Sequence, residues 1–222
     1  MPAPVGENVP RDRGRRLRRG VDDDDLTGAE QIVEAAIASV LEVGFYRSST
    51  NEIARRADVS WGAVQYHFGT REALLLAVVK ELDRQFVAAL NRAKVTGTTL
   101  EARLTSLYRT LARTYDDPKF LVRLQIILNL QHDPDTSADI SAELAAQAVD
   151  AEVPVRRLVR ETLGREPDAV TIDWLYHAMR GYALSQQLAR AVPAKATRLS
   201  RATSLQAFLR AMSHAEGLDR DL

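Results

Sequence analysis

Ser60, Trp61, Gly62, Ala63, Gln65, Tyr66 and His67 fall within eight consecutive positions, interleaved with the apolar pair Val64 and Phe68. The apolar pair lies four residues apart, which is one face of a helix. If that face is buried, Trp61, Gly62, Gln65 and Tyr66 point outward, with Ser60 and Ala63 near the edge. An amide, a phenol and an indole on a short exposed helix suit the edges of bases. A helix of this kind fits the major groove of B-form DNA and reads it with residues near its N-terminus. Gly62 would let the backbone come close, and the free N–H groups at the helix start favour a phosphate.

Such a helix needs a support, and the flanking sequence supplies one. Thr27-Gly28-Ala29-Glu30 and Ser49-Thr50-Asn51-Glu52 are both capping boxes, each with a hydroxyl N-cap and a Glu three residues on. Behind the first, Ile32, Val33, Ala36, Ile37, Val40 and Leu41 recur at helical spacing up to Gly44, whose type ends helices. The second box opens a short helix through Ala57. Asp58-Val59 makes a tight turn, and Ser60 caps the helix that carries the exposed side chains. Gly69-Thr70 then breaks the chain before a long fourth helix, about 71–94. Three helices with a tight turn between the second and third make a helix-turn-helix unit.

Downstream, the pattern predicts helices over about 99–115, 118–131, 135–163, 168–191 and 196–214. Their start signals are a capping box at Thr98-Thr99-Leu100-Glu101, then Asp117-Pro118 and Asp133-Pro134 as N-cap and first helical residue. Pro154 should kink or break the 135–163 stretch. The expected class is therefore all-α. Residues 1–26 form an Arg/Asp-rich arm, 27–75 a helix-turn-helix domain, and 76–222 a helical domain.

The chain has 222 residues, no cysteine and a formal net charge of zero. Cysteine chemistry is excluded. No Gly-rich phosphate loop, Ser nucleophile elbow or HExxH motif is present, so an enzyme is not expected. His132, His177 and His214 lack partners at metal-ligand spacing, so neither a metal nor a cofactor is expected. No apolar run reaches the roughly 20 residues a membrane helix needs, and no apolar signal core follows the first charges, which implies a cytoplasmic protein. Charge is uneven along the arm: Arg11–Arg19 contains six arginines, and Asp22–Asp25 is a run of acids. The basic block can track phosphates or a minor groove, or it can be a solvated terminus that cannot offset its ordering entropy. Both readings stay open.

The segment from Thr50 to Leu74 resembles the DNA-binding signature of the TetR (tetracycline-repressor-like) family. The matching anchors are Thr50, Ile53, Ala54, Ala57, Val59, Ser60, Gly62, His67, Phe68 and Leu74. With its flanking helices the resemblance covers residues 29 to 80. Asp58 stands for the turn glycine, Val64 for a leucine, Gln65 for a frequent tyrosine and Arg71 for a frequent lysine. The resemblance implies a transcriptional regulator, a repressor that binds double-stranded DNA at a palindromic operator as a homodimer. It places Thr50, Ser60, Trp61, Gln65, Tyr66, His67 and Arg71 at the DNA surface, with Arg47 as a further candidate. It also implies dimerisation through the last two long helices, and a small-molecule effector held between head and dimer bundle. Candidate lining residues are Tyr108, Leu111, Tyr115, Phe120, Leu124, Ile127, Leu128, Gln131, Trp174, His177 and Ala178, a mostly apolar set that equally suits a helical core. The rival reading is a protein–protein adaptor that keeps the fold and no longer binds DNA.

Overall fold

The structure, a computed structural model, describes residues 28–146, 152–191 and 200–215. Among these residues the chain is all-helical: ten α-helices, one 3-10 turn and no strand. In order they are α1 (Gly28–Val43), the 3-10 turn Phe45–Arg47, α2 (Thr50–Arg56), α3 (Trp61–Phe68), α4 (Arg71–Arg92), α5 (Leu100–Tyr115), α6 (Pro118–His132), α7 (Ala138–Ala146), α8 (Glu152–Leu163), α9 (Ala169–Ala191) and α10 (Arg201–Ala215). The Thr27 cap and the 1–26 arm lie outside the described residues.

Side-chain caps set the helix starts. Ser49 accepts from the Glu52 N–H at 3.2 Å, Ser60 from Ala63 at 3.1 Å and Thr70 from Ala73 at 3.1 Å. Each such cap contributes about 1 kcal/mol. The α5 cap is Thr99 rather than Thr98, accepting from Ala102 at 3.2 Å. Asp117 caps α6 at 2.9 Å from the Lys119 N–H, with Pro118 in the first turn.

Asp133-Pro134 does not open a helix. Asp133 closes α6, its N–H on the Asn129 carbonyl, and its carboxylate accepts from the Asp135 N–H at 3.0 Å. This Asx turn delays the next helix to Ala138. Of the single helix expected over 135–163, the described residues give α7 and α8, and the residues between these two lie outside the description. Pro154 is the third described residue of α8, in a first turn whose N–H groups need no intrahelical partner. The last helix begins at Arg201 rather than near 196, with Ser200 accepting from the Thr203 N–H at 3.0 Å.

Two apolar clusters organise the chain. The first joins α1 (Ile32, Ile37), α2 (Ile53), α3 (Val64) and α4 (Leu74, Val78) to α6 (Val122, Ile126, Leu130). The second joins α5 (Leu104, Leu107, Leu111), α8 (Leu158, Val159), α9 (Ile172, Leu175, Met179) and α10 (Phe208, Met212). Each large side chain so buried contributes about 1.5–3 kcal/mol relative to exposure. Helix α4 belongs to both, with Leu82 in the first cluster and Leu90 in the second. Polar contacts reinforce the junction. Lys119 of α6 donates to Gln85 Oε1 at 2.7 Å, Gln85 donates to Glu34 of α1 at 3.0 Å, and Arg123 pairs with Asp83.

Candidate nucleic-acid interface

The turn between α2 and α3 works because Asp58 takes a left-handed conformation, φ 53°. Asp tolerates that region better than most residues with a Cβ. The Val59 N–H then reaches back to the Ala54 carbonyl at 3.1 Å. Val64, 3% exposed, anchors α3 on the first cluster and Phe68 packs beside it. The opposite face is open to solvent. Trp61 is 56% exposed and Tyr66 85%, with Ser60, Gly62, Gln65 and His67 also exposed and Ala63 half-buried. These seven sequence-predicted residues therefore share one short helix and its cap.

Some of their polar groups are already engaged. The Gln65 amide donates to the Gly69 carbonyl, where the positive-φ glycine ends α3. The His67 ring lies against the start of α1: a Cβ on Gly28 would sit 3.1 Å from its Nε2. Tyr66 meets the His67 ring edge-on at 5.3 Å. Thr50 is the half-buried first residue of α2. Arg71 is turned partly inward. Its Nη1 donates to the Ser48 carbonyl at 2.9 Å and its guanidinium lies over the Phe45 ring.

Charge on α2 is locked by Glu52, which accepts from Arg55 and Arg56; Arg56 also reaches Glu42 at 2.6 Å. The hydrogen bonds from Arg55 and then Arg56 hold the Glu52 carboxyl down at about 2. Arg47 is exposed and forms no ion pair among the described residues. Beside it Tyr46 is 87% exposed, a residue that the sequence reading missed. The Phe45-Tyr46 pair offers no periodicity to say which ring turns in; the structure buries Phe45.

The residues expected around an effector are divided. Tyr108, Leu111 and Tyr115 are buried in the second cluster, with Phe120 and Trp174 packed against it. Tyr115 sits 5.2 Å from Phe120 and 5.3 Å from Phe86, ring to ring. Ile127 packs on the first cluster instead, Leu124 and Ala178 are half-buried, and Leu128, Gln131 and His177 face solvent. His177 contacts the Asp173 carbonyl through Nδ1 at 2.7 Å. The reason is the rotation of α6, which turns Val122, Ile126 and Leu130 into the first cluster. An open polar groove of about 580 Å³ runs along α5 past Thr96, Ser106, Arg109 and Arg113, and a second of about 390 Å³ lies at Leu128, Asn129, His132 and Asp133. Among the described residues no three metal-ligating side chains converge, and no helix is long and apolar enough to cross a membrane.

Residues 32–78 match the sequence profile of the bacterial regulatory proteins of the tetR family. Over 135 residues the chain is 29% identical to the HTH-type transcriptional repressor Rv1474c of Mycobacterium tuberculosis, covering 59% of this chain and 67% of that one. It is 29% identical over 87 residues to the HTH-type transcriptional regulator BetI of Burkholderia mallei, covering 39% of this chain and 44% of BetI, less than half its length. Among solved structures it is similar to a transcriptional regulator from Rhodococcus sp. Rha1 (TM-score 0.60, 21% identity, 86% of this chain and 97% of that one). It is also similar to the multidrug binding protein EbrR complexed with ethidium (TM-score 0.59, 19% identity, 83% and 98%). These structural likenesses concern the fold. The exposed face of α3, its support and the sequence relatives agree: the chain is a DNA-binding regulator whose head, over residues 32–78, is similar to that of the tetR family of bacterial regulatory proteins.

Proposed function

We propose that this protein is a cytoplasmic, ligand-responsive repressor that binds a palindromic operator as a homodimer. The observation that carries the reading is the row Trp61, Gln65 and Tyr66, displayed on a helix whose other side is pinned by Val64. A rigid exposed helix of this size is what the major groove accepts. Phosphate contacts would set its register, and Ala63, Gln65 and Tyr66 would reach bases.

A dimer supplies one head per half-site. Its support is α9, where Val170, Leu184 and Leu188 are apolar and exposed while Ile172, Leu175 and Met179 fill the protein's own core. A helix apolar on two sides has two partners. Ligand response would pass along α4, the helix shared by both clusters. An effector can shift the separation of the two heads only by its differential affinity for the two states. EbrR binds ethidium in its solved complex, and a small molecule is proposed here on the same fold.

Selection from a randomised duplex library tests the reading, with the intact protein compared with Gln65→Ala/Tyr66→Ala. A palindrome enriched by the first and lost by the second supports it, and affinity for that site should fall steeply with salt. No enrichment at low salt would sink the DNA reading and favour an adaptor.

A further inference from the structure

The second cluster contains a polar group that the fold leaves without a partner. The Tyr176 hydroxyl of α9 is buried and makes no hydrogen bond. A buried O–H in that state costs about 1–3 kcal/mol, and native proteins keep few of them. Burial pushes this phenol well above its ordinary range, so it is a neutral donor.

One turn further on, the Arg180 guanidinium lies over the Tyr176 ring at 5.5 Å. Arg180 is exposed and forms no ion pair among the described residues. Two other arginines are paired: Arg156 with Glu152 at 2.9 Å and with Glu166 at 3.5 Å, and Arg123 with Asp83. Tyr115, the last residue of α5, is a second buried phenol of this region, its hydroxyl pushed up to about 12 by burial. The rings of Phe86 and Phe120 flank it. The second cluster and its edge therefore combine an unused neutral donor, a cation with no ion pair among the described residues, and a row of aromatic rings.

We propose that Tyr176 and Arg180 form the recognition end of the effector site, and that the effector is an aromatic carboxylate. This rests on the ligand-responsive reading above. A carboxylate accepts from the Tyr176 O–H and neutralises Arg180, in the charge-assisted geometry that makes such bonds strong. A flat apolar body lies along Phe86, Tyr115 and Phe120. Neither groove described above is lined by Tyr176, so entry parts this aromatic row. Phe86 is on α4, so occupancy repacks the helix that joins the two clusters.

The test uses the full chain and three probes that share flat aromatic bodies: 2-naphthoate, the uncharged 2-naphthalenemethanol, and the cation ethidium. Calorimetric titration is made on the wild type, Tyr176→Phe and Arg180→Gln. Naphthoate should bind the wild type and bind each variant about tenfold more weakly, the loss of one good hydrogen bond. The alcohol should bind Arg180→Gln as tightly as the wild type, because it carries no charge for Arg180 to neutralise. Tyr176→Phe should melt at or above the wild-type temperature, because it removes an unsatisfied group; this separates lost recognition from lost folding. Naphthoate that does not bind, or binds Tyr176→Phe as tightly as the wild type, overturns the proposal. So does ethidium binding that strengthens in Arg180→Gln while naphthoate binding does not change. Operator release is read separately by gel shift. Naphthoate that binds as expected without releasing the operator upholds the site and overturns the ligand-responsive reading. Operator release by ethidium without naphthoate binding does the reverse.

Discussion

The Arg71 guanidinium donates to the Ser48 backbone carbonyl across 2.9 Å, joining the start of α4 to the segment before α2, 23 residues earlier. Its other face covers Phe45 at 5.4 Å. A residue placed by resemblance at the DNA surface is thus also a clamp within the head. Arg71→Met should lower unfolding free energy by about 1–2 kcal/mol, a charged hydrogen bond plus a cation–π contact. Urea denaturation reads this directly. An unchanged midpoint would mean that the clamp contributes nothing in solution.

Asp58 holds φ 53° in the turn between α2 and α3. Asp58→Gly should stabilise the head by up to about 1 kcal/mol, because the left-handed region costs a residue with a Cβ roughly that much. Asp58→Val should destabilise by more than Asp58→Gly stabilises, since a β-branched residue is worse still there. Thermal melts of the two variants must move in opposite directions for this account to stand.

Glu52 carries the pH prediction. Its folded pKa is depressed to about 2 from 4.5 by Arg55 and Arg56. A depressed carboxylate contributes stability that is complete above pH 4.5 and is lost as pH falls toward 2. Glu52→Gln should therefore flatten the acid limb of the stability curve within that window, and high salt should shrink the difference, since Arg55 is 69% exposed. Parallel acid limbs for the two proteins would refute it.

The two faces of α3 should separate function from stability. Tyr66→Ala, at an 85% exposed position, should change stability by no more than about 0.5 kcal/mol while removing operator binding. Val64→Ala, at a buried position of the first cluster, should cost about 1–3 kcal/mol through lost packing. Chemical denaturation and duplex binding, measured on both variants, check the pair. Retained operator binding in Tyr66→Ala would remove this residue from the interface.

Much of the head was legible because its signals are local. Ser49, Ser60 and Thr70 each cap a helix within three residues, and Asp58 sits where a left-handed residue is needed. The spacing of Val64 and Phe68 chose the buried side of α3, and so the exposed one. The body was less legible because its local signals are ambiguous. Asp-Pro opens α6 at 117–118 but follows it at 133–134, and only what lies before and after distinguishes the two.

By itself, then, the amino-acid sequence determined the helical class, the helix-turn-helix and the row Trp61, Gln65 and Tyr66, since capping and periodicity act over a few residues. Tertiary structure decided the rest. Helix α6 is apolar around most of its circumference, so periodicity cannot choose a face. Contact with α1 and α4 buries Val122, Ile126 and Leu130 and leaves Leu128 and Gln131 outside. In the same way, only the approach of α4 to the Phe45–Arg47 turn draws Arg71 onto Ser48. Only the packing around α9 leaves the Tyr176 hydroxyl buried without a partner. Each of these depends on residues distant in sequence, and no local pattern encodes their meeting.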